Sequence, residues 1–146
     1  MSRKNCGAVA LEFLLVFPLV VGMVYTAAAY GGVFFQKYQL QKVVDRAASS
    51  AMSLDRSKFG EGADERAVDR ASDTLEALIS EVSGSLASRS DDRECGIENV
   101  GGVSLVECTV VADGTESPFV PQLKFGFLGK FPPLPDTIEV RSAVAF

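Results

Sequence analysis

With 146 residues the chain has room for one modest domain, and part of that length goes into a segment too apolar for water. A formal charge of -5 and the absence of histidine argue against a basic nucleic-acid surface, a histidine general base and a histidine-rich metal site. The acidic residues read as solvated surface.

Residues 13–35 contain no Asp, Glu, Lys or Arg. At about 1.5 Å per residue such a helix crosses a hydrocarbon core of about 30 Å. A secretory signal peptide would carry a shorter apolar region and a small-residue cleavage site, whereas this run continues through Tyr30, Gly31, Gly32, Val33, Phe34 and Phe35. The segment is therefore expected to stay in the membrane. Arg3 and Lys4 precede the span and place the N-terminus in the cytoplasm, although Lys37, Lys42 and Arg46 beyond it reduce the asymmetry.

Past the span, residues 36–52 put Leu40, Val43, Val44, Ala47, Ala48 and Ala51 at spacings of three and four, so the first helix is predicted to run on to about Met52. Pro18 removes one of its hydrogen bonds, and Gly22, Gly31 and Gly32 loosen it. Residues 53–62, with Asp55, Ser57, Gly60 and Gly62, read as a loop. A second amphipathic helix follows, with Val68, Ala71, Leu75, Leu78, Ile79, Val82 and Leu86 on one face. Asp69, Asp73 and Glu76 could suggest an acid/base or metal cluster, but Arg66 and Arg70 among them suit a solvated, salt-laced surface.

After a polar break at residues 88–93 the pattern shortens to period two, the mark of strands. Gly101 and Gly102 suit a two-residue hairpin turn, which pairs Val100 with Val103 and, counting outward, Cys95 with Cys108. In that register the cysteines form a non-hydrogen-bonded pair, whose side chains lie close enough for a cross-strand disulfide. No further ligands accompany them, so a structural bond outweighs a reactive or metal-binding pair. Residues 117–135, rich in Phe, Pro and Gly, read as a loop covering the sheet with Phe125, Phe127 and Phe131. A last strand over residues 137–146 puts Ile138, Val140, Val144 and Phe146 on one face.

The expected fold class is α+β: a long N-terminal transmembrane helix, then a small exported domain with a second amphipathic helix and a C-terminal antiparallel β-sheet. No nucleophile elbow, phosphate-cradling loop or zinc signature occurs in the sequence, so the expectation is no enzyme, no cofactor and no metal.

The local anomaly is Glu12, a carboxylate on the threshold of an uncharged span, in the stretch Gly7-Ala8-Val9-Ala10-Leu11-Glu12-Phe13. Charges there are costly and usually have a partner or a function. That stretch, with Phe17-Pro18-Leu19 further on, resembles the TadE/TadG-like family, minor pilins or pseudopilins of the tight-adherence (Flp) type IV pilus assembly system. The resemblance covers about residues 7–52. It implies cleavage by a prepilin peptidase, a membrane-embedded aspartic protease, between Gly7 and Ala8, with Glu12 and Phe13 serving assembly and register. Glu12 would then pair with the new α-amino group of a neighbouring subunit.

Cleavage would remove Arg3, Lys4 and Cys6, taking the formal charge from -5 to -7 by the loss of two positive charges and leaving an even number of cysteines. The division so implied is a leader at 1–7, a transmembrane and assembly helix at 8–35, its exported continuation at 36–52 and a periplasmic or extracellular α+β domain at 53–146. The implied partners are the peptidase, other minor pilins, the pilus machinery and the bacterial inner membrane, with incorporation into the pilus open and no nucleic acid. The rival reading is an uncleaved single-pass protein with an exported binding domain, in which Glu12 reaches the headgroups or pairs with Lys4.

Overall fold

An apolar run up to Phe35 and an amphipathic stretch of stronger helix formers beyond it carry the first element without interruption. In a computed structural model, which describes residues 6–54, 62–82, 84–90, 92–126 and 129–145, helix α1 runs over Cys6–Ser50 with Pro18 inside it. A 3-10 turn, Ala51–Ser53, follows where a helical end near Met52 was expected. Ser50 Oγ donates to the Ala47 carbonyl and Ser53 Oγ to that of Ser50, so local hydroxyls take up carbonyls that the ending helix leaves unpaired. Most of the expected loop at 53–62 lies outside the described residues.

The remaining elements are α2 (Ala63–Glu81), a short α3 (Gly84–Ala87), β1 (Asp92–Val100), β2 (Val103–Asp113), β3 (Leu123–Phe125), β4 (Gly129–Phe131) and β5 (Thr137–Ala145). The fold class is α+β, as expected. The second helix breaks earlier than its apolar spacing suggested. Val82 adopts an extended conformation and its N–H bonds back to the Ile79 carbonyl, while Leu86 is buried from the separate turn α3.

By contact the chain divides into two units, one reaching Val33 and including Val120–Leu134, the other made of Phe34–Phe119 and Pro135–Phe146. The second holds most of the buried core. Leu40, Val44, Ala47, Ala48 and Ala51 are buried along α1 and its terminal turn, and Ala63, Ala67, Ala71, Leu75 and Ile79 recur every four residues along α2. A sheet in the order β1-β2-β5, antiparallel throughout, places β2 in the centre. Val106, Cys108, Val110 and Ala112 of β2, with Ile138 and Val140 of β5, form its buried face. Val144 is half-buried, and Phe146 lies outside the described residues.

The hairpin has the expected register. Val100 faces Val103 and Cys95 faces Cys108, around Gly101 and Gly102 at φ values of 61° and 86° that other residues rarely adopt. At the start of the next loop, Gly114 donates its N–H to the Asp136 carbonyl at 2.7 Å. A β-carbon there would lie 2.7 Å from the Phe119 ring, so only glycine fits. Arg89 stacks over that ring, 5.6 Å from its centre, and donates to Ser117 Oγ.

The first unit departs from the expected covering loop. Residues of that segment form the two-stranded β3–β4 ribbon and cluster with the N-terminal part of α1. Tyr25 Oη donates to the Pro121 carbonyl at 2.6 Å and Tyr30 Oη to the Pro133 carbonyl at 2.9 Å. Phe127 lies outside the described residues.

Candidate assembly helix

The N-terminal part of α1 has the chemistry of a surface made for a non-aqueous neighbour. Every residue from 11 to 21 is exposed, among them Leu11, Phe13, Leu14, Leu15, Val16, Phe17, Leu19, Val20 and Val21, with Leu14 at 74%. A helix apolar on all sides and bare of its own chain is suited to lipid or to other helices, not to water. By length and composition α1 is the one helix among the described residues able to cross a membrane, and it lies near the N-terminus. That fits a membrane-anchored, pilin-like protein.

Gly7 and Ala8 lie in the first helical turns of α1. Glu12 follows on the same helix, is exposed, and among the described residues has neither a hydrogen-bond nor an ion-pair partner. Phe13 stacks on Phe17 one turn later, with ring centres 5.3 Å apart, and is 65% exposed. The helix thus carries the cleavage and register candidates in one short run, with the carboxylate unneutralised among the described residues.

The second expected site is built as the register required. Cys95 and Cys108 are disulfide-bonded across the β1–β2 pair, with Cα atoms 4.1 Å apart, the closer of the two spacings in an antiparallel ladder. Cys108 is fully buried. The bond fixes the hairpin from inside the domain and leaves no thiol there for chemistry. Asp69, Asp73 and Glu76 lie exposed along α2, and among the described residues no group of three or more Cys, Asp or Glu side chains is placed to hold a metal ion.

The tyrosine contacts were not anticipated. Tyr25 and Tyr30 reach carbonyls 96 and 103 positions away, and the sequence offered only an aromatic pair near the end of a span and a proline-rich segment far from it.

No curated protein and no solved structure matches the chain significantly. A family model described as TadE-like protein does match, over residues 7–49, a stretch that begins at Gly7 and contains Glu12, Phe13 and most of α1. Over that stretch, under half of its length, the chain is similar to the TadE-like family, the one that its glycine-to-glutamate pattern resembles.

Proposed function

We propose that the chain is a minor pilin or pseudopilin that takes part in assembling a tight-adherence (Flp) type IV pilus. In this reading a prepilin peptidase cuts between Gly7 and Ala8 at the bacterial inner membrane, the N-terminus facing the cytoplasm and the disulfide-bonded domain lying outside. The protein performs no chemistry of its own. The exposed apolar helix then packs against other pilins or the assembly machinery. Glu12 becomes the fifth residue of the mature chain and pairs with the α-amino group of a neighbour's Ala8.

One observation carries the reading: a carboxylate without a partner among the described residues, five residues after a glycine, on the otherwise apolar and exposed N-terminal part of α1 within the TadE-like match. A buried charge left without its opposite costs several kcal/mol, about 3–5 when one partner of a buried pair is removed, so such a pair both stabilises the correct register and rejects others. Intact-mass and N-terminal analysis of protein from cells with an active prepilin peptidase tests the first step. A mature chain beginning at Ala8 is expected, and one beginning at Met1 would favour the uncleaved anchor.

A further inference from the structure

The Val120–Leu134 arm presents a charge arrangement that no described residue of the chain balances. Lys124 and Lys130 are direct cross-strand partners in the β3–β4 ribbon, so both ammonium groups leave the same face. Like charges placed opposite each other destabilise a strand pair. Both lysines are exposed, and among the described residues neither has an ion-pair or hydrogen-bond partner. In a chain of net charge -5, a twinned cation without a counter-charge among the described residues points to an anion supplied from outside.

The arm's attachment identifies that anion. The tyrosine hydroxyls at positions 25 and 30 hold its two ends to α1 through the Pro121 and Pro133 carbonyls. Strands of three residues expose their backbone polar groups at both edges, and such groups have no place in hydrocarbon. The hydrocarbon must therefore end before Tyr25. From Cys6 to Val24 the helix rises roughly 28 Å, close to a bilayer core of about 30 Å. From Ala8 it rises roughly 25 Å, a mismatch that local thinning absorbs. Tyr25 and Tyr30 then lie where amphipathic aromatic rings gather, at the headgroup level.

We propose that the Val120–Leu134 arm is a membrane-surface clamp, with Lys124 and Lys130 binding the phosphates of anionic lipid headgroups and the hydrocarbon span ending at Val24. The inference rests on the membrane reading of α1 but not on cleavage or on pilus assembly. Each lysine near an anionic bilayer gains a favourable interaction that the twin arrangement doubles at one place. The clamp fixes how deeply the helix sits, and so where Glu12 lies relative to the opposite headgroups.

Amide hydrogen exchange on the full oxidised chain tests this in nanodiscs of phosphatidylcholine alone and in discs rich in phosphatidylglycerol. Exchange in β3 and β4 is expected to be roughly thirtyfold slower in the anionic discs, the effect of two lysines near a charged surface. K124Q/K130Q should abolish that difference while the β1–β2 hairpin exchanges as before. Inorganic phosphate added to the zwitterionic discs should change nothing. Equal exchange in both lipids, a lipid effect that survives the double variant, or protection by inorganic phosphate would each overturn the clamp. So would protection that tracks the number of copies per disc, which would assign the lysines to a neighbouring subunit. A chain that does not enter discs would overturn the membrane reading itself, whereas insertion without lipid dependence sinks the clamp alone.

Discussion

Glu12 concentrates the energetic question at a single side chain. Placed near the end of a membrane helix it costs less than the roughly 2.5 kcal/mol or more of a carboxylate at the bilayer centre, so the membrane alone tolerates it. In a packed bundle of helices the cost rises unless an opposite charge is supplied. Glu12→Ala and Glu12→Gln are therefore expected to leave cleavage after Gly7 intact and to lower the yield of assembled complex by about two orders of magnitude or more, read by N-terminal analysis and by crosslinking of subunits. Unchanged assembly in both variants would remove the register pairing.

A different carboxylate faces the opposite problem. Glu107, on the outer face of β2, shares a hydrogen bond with Glu98, and this contact, then burial, then the Glu98 charge hold its carboxyl above the ordinary range, while Arg141 at 3.9 Å pulls the other way. Arg141 is also engaged by Glu139, so its charge is divided. A carboxyl with a raised folded-state pKa stabilises the fold when protonated and loses that contribution as pH rises through the folded value. Glu107→Gln should thus raise the melting temperature at pH 7 by a few degrees, roughly 4–8 °C per kcal/mol for a domain of this size. The gain should vanish once both proteins are measured below the ordinary carboxylate range. A gain that persists in acid would mean that charge is not its cause.

Among the elements, the β1–β2 hairpin is the part held most firmly by covalent chemistry. Its disulfide closes a sequence separation of 13, for which the loop-entropy model gives about 3 kcal/mol. Replacing both cysteines with alanine should lower the unfolding free energy by about that amount in a denaturant titration, with peptide mapping of the parent showing the Cys95–Cys108 link. A loss near zero would mean that the unfolded chain already holds the hairpin together.

The hairpin was legible in the sequence because two signals agree: a Gly-Gly turn, and cysteines at equal distances from it. Helix α2 was legible from its periodicity, but Ala63 and Ala67, which carry its first two buried turns, are too small to stand out in a hydrophobic pattern. Its break at Val82 was hidden because the apolar spacing continues to Leu86 across a change of element. The strands β3 and β4 were invisible because three residues give no alternation to read, and their attachment to Tyr25 and Tyr30 depends on pairs about a hundred positions apart. Gly7 and Glu12 could be found for the reverse reason: both are exceptions to an otherwise uniform apolar run.

At the scale of the whole molecule, burial and exposure fall in different places along one chain. The unit of Phe34–Phe119 and Pro135–Phe146 buries Leu40, Val44, Leu75, Ile79, Val106, Val110, Ile138 and Val140, a core sufficient to define a small water-facing domain. The segment before it leaves Leu14, Leu15, Met23 and Val24 each more than half exposed, which water would drive into aggregation. Only a membrane or a bundle of similar helices accommodates both. The chain should therefore remain with membranes after an alkaline carbonate wash that releases peripheral proteins, and leave them only in detergent. Protease added outside spheroplasts should reach Lys37, Lys42 or Arg46, exposed or half-exposed residues of α1 beyond the apolar run, and remove the domain, while a short N-terminal fragment stays protected by the bilayer. Release by carbonate would show that the apolar helix is covered by protein instead of lipid, and a domain resistant to protease until the cells are opened would reverse the proposed orientation.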